Sequence, residues 1–219
     1  MKRTRINYLG LLGIISLLSY TAAVIFAPIA YPDYDWLSQA VSDLSAETAP
    51  SKTLWNQLSA LYMPCGIVCC TVSCIAVSRK YNKVLRLGVY LFTLMNWITA
   101  VGYTMFPLTD AGTPDGFQNI MHLIVTGVVV VLSIVSLALM ICGGYFQREC
   151  RSLGLWAGMA LLLMVLGALG VNLLPDEYFG LAERFSTFAA IGFNTVLGIY
   201  LYNDFPGRNR RREHNGKNS

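Results

Sequence analysis

Six long apolar runs alternate with short polar stretches along the chain: Tyr8 to Ala27, Leu54 to Val77, Leu85 to Met105, Ile120 to Ile141, Leu153 to Leu174 and Phe185 to Tyr202. Each is close to the ~20 residues a helix needs to cross ~30 Å of hydrocarbon. A lipid-exposed backbone must satisfy its own hydrogen bonds, and the runs are too continuous for alternating barrel strands. The pattern therefore predicts an all-α integral membrane protein, a six-helix bundle forming one domain over residues 1–219, with residues 203–219 as a basic tail.

The longest polar break, Tyr31 to Pro50, has a pattern of its own. Trp36, Leu37, Ala40, Val41 and Leu44 recur at helical spacing, while Asp35, Ser38, Gln39, Ser42 and Asp43 fall on the other side. This predicts a short helix lying on the membrane surface, with Tyr31, Tyr34 and Trp36 at headgroup depth.

Composition agrees with the pattern, since 55% of the 219 residues are hydrophobic and only 13% are charged. Charge then orients the bundle. All of the 16 Lys and Arg except Lys52 and Arg184 lie in Met1 to Asn7, Ser78 to Arg86, Gly143 to Ser152 and Asn203 to Ser219. The three intervening connections instead hold Asp33, Asp35, Asp43, Glu47, Asp110, Asp115, Asp176, Glu177 and Glu183. That alternation places both termini in the cytoplasm of a multi-pass protein of the cell membrane. The apolar run after Met1-Lys-Arg-Thr-Arg5 exceeds a secretory h-region, so it reads as the first helix.

The net charge of +4 belongs to the cytoplasmic side and forms no basic face with interleaved aromatics, so no nucleic-acid partner is expected. Membrane lipids are the expected partners. Arg208, Arg210, Arg211 and Arg212 follow the last helix directly and suit anionic headgroups at about 1 kcal/mol each.

Inside the runs, Gly154-Leu-Trp-Ala-Gly158 has the spacing that lets two helices approach, and Asn96 offers an interhelical hydrogen bond. Cys65, Cys69, Cys70 and Cys74 lie along one apolar helix and read as packing residues. No Asp, Glu, Lys or Arg falls mid-span, which disfavours an ion-coupled carrier.

Candidate chemistry gathers on the acidic side. Ser42 could act as a nucleophile, His122 as its base and Asp110 or Asp43 as the group that orients the base, with Arg184 holding a phosphate or carboxylate. No Gly-x-Ser-x-Gly elbow surrounds Ser42, and three connections would have to converge. A metal site would draw on His122 with Asp43, Asp110, Asp115 or Glu177, but paired-histidine spacing is absent and no metal or cofactor is expected. The third reading is structural or binding: Arg184 pairs with Glu183, Asp43 or Asp110, and His122 bonds a loop carbonyl. Sensing or passive transport through the bundle is a fourth.

Tyr31-Pro-Asp-Tyr-Asp-Trp-Leu-Ser38, Val41-Ser-Asp-Leu-Ser45, Phe106-Pro107 with Asp110, His122 and Gly180-Leu-Ala-Glu-Arg184 together resemble a bacterial six-helix membrane family known as domain of unknown function nine-nine-eight. The resemblance implies the same six-helix architecture and brings no activity with it. A Ser-Asp pair between the first two helices, followed by a proline, is also similar to the damage-regulated autophagy modulator family, which hints at lipid handling.

Overall fold

A computed structural model describes residues 3–78, 81–109 and 116–205. Among these there is no strand. Eight helices carry the chain: α1 (Arg5–Tyr8), α2 (Leu11–Phe26), α3 (Lys52–Leu58), α4 (Tyr62–Val77), α5 (Lys83–Met105), α6 (Phe117–Phe146), α7 (Arg151–Leu173) and α8 (Phe179–Tyr202). With their flanking turns they form six stretches long and apolar enough to cross a membrane, the first pair and the second pair each making one span. The protein is a six-span membrane bundle.

The second span is broken between Leu58 and Tyr62. Pro64 cannot donate a main-chain hydrogen bond back to Ala60, so the helix restarts with Pro64 in its first turn, where no such bond is needed.

The spans close into a ring. α2 packs against α4 and α8, α4 against α5, α5 against α6, α6 against α7, and α7 against α8, with α4 also reaching α8 across the middle. Leu85, Val89, Phe92, Leu137, Met140, Leu153, Leu197 and Phe193 fill the centre. The rings of Phe92 and Phe193 meet edge to face at 5.1 Å.

The first and last spans touch through bare backbone. A Cβ on Gly10 would stand 2.2 Å from the Gly198 oxygen, and one on Gly198 would stand 2.3 Å from the Gly10 oxygen. Beside this contact Asn7 Nδ2 donates to the Leu201 oxygen at 2.8 Å, and the Arg3 guanidinium lies 3.9 Å over the Tyr202 ring.

Polar side chains within the bundle find one another, as hydrocarbon requires. Asn194 Nδ2 donates to Asn96 Oδ1 at 2.9 Å, and Cys70 Sγ donates to Asn194 Oδ1 at 2.9 Å. Thr195 Oγ1 and Ser16 Oγ donate to the main-chain oxygens of Gly13 and Tyr62. All six cysteines are free thiols.

Candidate functional site

At the end of the bundle remote from the termini, residues 27–51 form a strap across the helix ends. Over Trp36 to Leu44 the helical part is shorter than the apolar spacing suggests, a 3-10 turn beginning at Ser42 and ending at Ser45, while a second such turn, Ala27–Ala30, opens the strap. Residues 35–39 are instead organised by polar side chains. Asp35 accepts from Leu37 N at 3.0 Å and from Ser38 Oγ, while Gln39 Oε1 accepts from Asp35 N at 2.7 Å. The Ser38 hydroxyl and the Leu37 amide hold the Asp35 carboxyl below its usual range.

Next along the strap, Gln39, Ala40 and Val41 have every main-chain group bonded. Gln39 N donates to the Asp35 oxygen at 2.9 Å and Leu44 N donates to the Val41 oxygen at 3.2 Å. Side chains do the rest. Arg184 Nη1 donates to the Gln39 oxygen at 3.1 Å, and Tyr34 donates its hydroxyl proton to the Ala40 oxygen at 2.8 Å. Ala40 N donates to Asp43 Oδ2 at 3.1 Å, and Val41 N donates to Glu183 Oε2 at 2.7 Å.

Two features of α8 make this grip possible. Gly180 allows the strap to lie on the helix, since a Cβ there would stand 2.2 Å from the Gln39 oxygen. Leu181 N, free of intrahelical partners in the first turn, donates to the Leu37 oxygen at 2.9 Å. One turn below, the Val41 side chain seats in an aromatic bowl with Tyr20 and Ile191, flanked by Trp55, Tyr62 and Phe188. Leu44 is fully buried beside it.

The strap also binds the second connection at this end. Glu47 N and Thr48 N donate to the oxygens of Leu108 and Thr109 at 2.9 and 3.3 Å. Thr109 in turn donates through its amide and its hydroxyl to Asn119 Oδ1 at 3.0 and 2.7 Å.

The candidate residues therefore divide. Asp43 and Arg184 are brought together around residues 39–41, with Glu183 and Tyr34. Arg184 is only 3% exposed, and its Nη1 also bonds the Gly180 oxygen at 2.7 Å while Nη2 donates to the Tyr34 hydroxyl at 2.7 Å. Trp36 covers the guanidinium at 4.2 Å. Of the acids expected to pair with Arg184, Asp110 lies outside the described residues, and Glu183 and Asp43 make no ion pair with it: both bond strap amides, and the guanidinium bonds carbonyls and the Tyr34 hydroxyl. Nor does it present itself to a phosphate from outside, being covered by the strap.

Burial pushes the Asp43 carboxyl above the usual carboxylate range, against the pull of the Ala40 amide and of Arg184. Burial likewise pushes the Tyr34 hydroxyl up to about 12 although Arg184 favours its ionised form.

Ser42 and His122 stand apart from this group. Ser42 Oγ makes no hydrogen bond among the described residues; only its main-chain oxygen is engaged, by Ser45 Oγ. His122 lies on α6, where Nδ1 meets the Phe106 oxygen at 2.9 Å and the ring stacks on Tyr103 at 4.8 Å. A carbonyl only accepts, so Nδ1 carries the proton, and Nε2 is left without a partner among the described residues. No hydrogen bond joins His122 to Ser42 or to Asp43. Asp110, Asp115, Arg208, Arg210, Arg211 and Arg212 lie outside the described residues. Among those described, no three His, Cys, Asp or Glu side chains stand together as a metal site.

Tyr34, Gln39 and Gly180 are members of the grip to which the residue pattern gives no part in a site: it places Tyr34 at headgroup depth and Gln39 on the polar side of a surface helix. Gly180 carried the one usable signal, lying four positions before an arginine at the start of a helix.

Residues 14–200 match the family described as "Protein of unknown function (DUF998)". The chain belongs to this family. The matched range takes in the strap, Glu183 and Arg184 together, so the grip lies wholly within the DUF998 unit. No curated protein and no solved structure matches the chain, and the likeness to the damage-regulated autophagy modulator family has no counterpart in these comparisons.

Proposed function

We propose that this DUF998 protein has a binding role at the outer leaflet of the cell membrane, with both termini in the cytoplasm and the strap as the cover of its outward end. The observation that carries the reading is the saturated backbone of Gln39, Ala40 and Val41, held by four side chains above an aromatic bowl. Buried carboxylates and a guanidinium spent on holding a chain segment, not on one another, suit a cover over a binding position better than a reaction centre. Trp36 and Leu37, 42% and 43% exposed, give the strap an apolar edge suited to headgroup depth, and the lysine and arginine asymmetry supports the orientation.

Mass spectrometry of the intact protein released from mild detergent tests the reading. The wild-type protein is expected to retain lipid, and Arg184→Ala to lose it while remaining folded. Equal retention by the two proteins would remove the binding role.

A second reading, an outer-leaflet lipid hydrolase or transferase, draws on the free Nε2 of His122, whose tautomer suits a general base. It requires Ser42 to swing toward His122, with Asp43 or Asp110 following. Whole-cell lipid composition with Ser42→Ala and with His122→Ala separates the readings, because only the enzyme reading expects a substrate to accumulate in both.

A further inference from the structure

Charge beneath the strap is out of balance. Asp43, 8% exposed, accepts a single main-chain N–H, from Ala40. Glu183 accepts one from Val41. The one cation between them, Arg184, gives its bonds to two carbonyls and a hydroxyl, and its Nε is buried with no partner. A buried carboxylate and a half-buried one thus stand beside a guanidinium that touches neither.

A carboxylate removed from water without a close cation favours its neutral form. Both acids belong to the contact that the strap makes with α8, so lifting the strap returns Asp43 to solvent and unburies Glu183. The closed form therefore binds protons more tightly than the open one, and by linkage acid must favour closure. We propose that strap closure in this protein is proton-linked, Asp43 taking up a proton as Gln39, Ala40 and Val41 seat on α8 beside Glu183 and releasing it as the strap lifts.

The neighbours allow this assignment. Asp43 is faced by Tyr34 from the strap and by Glu183 and Arg184 from α8. Glu183 is faced in addition by Tyr20 from α2 and Tyr103 from α5. The groups facing Asp43 are a guanidinium, a phenol and the Glu183 carboxyl, and Asp43 is the carboxyl of this cluster that lies on the strap and leaves α8 with it. Asp35 lies on the exposed side and is held ionised by its own turn. His122, stacked on Tyr103, is the nearby imidazole outside the cluster, and the test must separate it. Burial raises the Asp43 carboxyl, in the direction that closure-linked uptake requires.

The inference rests on the strap being a cover, as proposed above, and needs no knowledge of the ligand. Hydrogen–deuterium exchange of the full chain in lipid nanodiscs, followed for peptides spanning residues 34–44 from about pH 5 to about pH 8 and corrected for intrinsic exchange, measures closure directly. Protection is expected to fall as pH rises, by up to about tenfold per pH unit for one linked proton. Asp43→Asn, which keeps an acceptor for Ala40 N, is expected to stay protected across the range, and His122→Asn is expected to keep the wild-type slope.

A flat or rising wild-type profile overturns the proposal. So does an undiminished slope in Asp43→Asn, or loss of the slope in His122→Asn. Should Asp43→Asn fail to fold, Glu183→Gln is read in its place and must reduce the slope. Lipid retention measured at both ends of the range keeps the two ideas apart: a slope without retained lipid supports the proton linkage and removes the binding role.

Discussion

Arg184 Nη1 reaches the main-chain oxygen of Gln39 at 3.1 Å across 145 positions of sequence. The bond joins the first connection to the last helix and makes a lone arginine on an acidic face a fastener. Replacing it with alanine takes the guanidinium donor from both the Gln39 oxygen and the Tyr34 hydroxyl, leaving the first only its 3.3 Å bond from Tyr34 and the second only its bond to the Ala40 oxygen. Arg184→Ala is expected to lower stability by about 3 kcal/mol, and Arg184→Lys by about half of that, because an ammonium cannot span both partners. Unfolding in detergent measures both, and a lysine variant as stable as wild type would remove the fork from the account.

Gly180 has no room for a side chain, with the Gln39 oxygen 2.2 Å and Arg184 Nη1 2.8 Å from where its Cβ would be. Gly180→Ala must push the strap off α8, at a cost of about 1–3 kcal/mol. Exchange over residues 37–41 should rise while the rest of the bundle keeps its protection. Unchanged exchange there would mean that the contact is looser than described.

Ser42 Oγ bonds nothing among the described residues, so its loss should cost little. Ser42→Ala is expected to change stability by less than about 0.5 kcal/mol and to leave the cellular lipid composition as it was. Altered lipids in a strain carrying this variant would return the hydrolase reading to first place.

Asp43 gives the fold a pH dependence of a particular sign. Its carboxyl is raised in the folded protein above the unfolded value of 3.8, so ionisation costs more folded than unfolded. The cost is absent below the unfolded value and sets in as pH rises through the folded one. Asp35, lowered in the fold, acts oppositely, contributing stability above its unfolded value that is lost as pH falls. Thermal unfolding of Asp43→Asn should show smaller losses than wild type as pH rises above the unfolded value of 3.8. Parallel curves for the two proteins would show that burial does not perturb Asp43.

Glycines in the bundle divide by what they face. Gly198→Ala drives a methyl into the Gly10 oxygen and should cost about 1–3 kcal/mol, whereas Gly158→Ala meets nothing within 4 Å and should be near neutral. Melting temperatures of the two variants give the comparison, and equal values would contradict the bare-backbone contact.

The six spans were legible because hydrocarbon leaves a helix few compositions to choose from, and Asn96 announced itself as a polar group needing a partner. The packing glycines were not. Gly154-Leu-Trp-Ala-Gly158 has the spacing of a close contact, yet Gly154 rests on Gly144 while Gly158 faces open space. Spacing within one helix says that two positions share a stripe, and not which neighbour the stripe meets. At the remote end, the residue types of the cluster could be read from the unusual placement of Arg184 and the acids. Their partners could not, because those partners are main-chain atoms of Gln39, Ala40 and Val41, and a carbonyl leaves no mark in a sequence. The short helix expected over Trp36 to Leu44 gave way to turns for a related reason: the Asp35 and Gln39 side chains bond the local backbone in competition with a helical ladder, and Ser38 braces the Asp35 carboxylate.

The contact between Gly10 and Gly198 has a consequence for biogenesis. A ribosome delivers the first span long before the last, and the close seam between them cannot form until the final helix has entered the bilayer. The same helix brings Glu183 and Arg184, so the nascent chain holds its ring open and its strap unfastened until α8 has been made. Docking of that one helix thus shuts the circle and fastens the cover together.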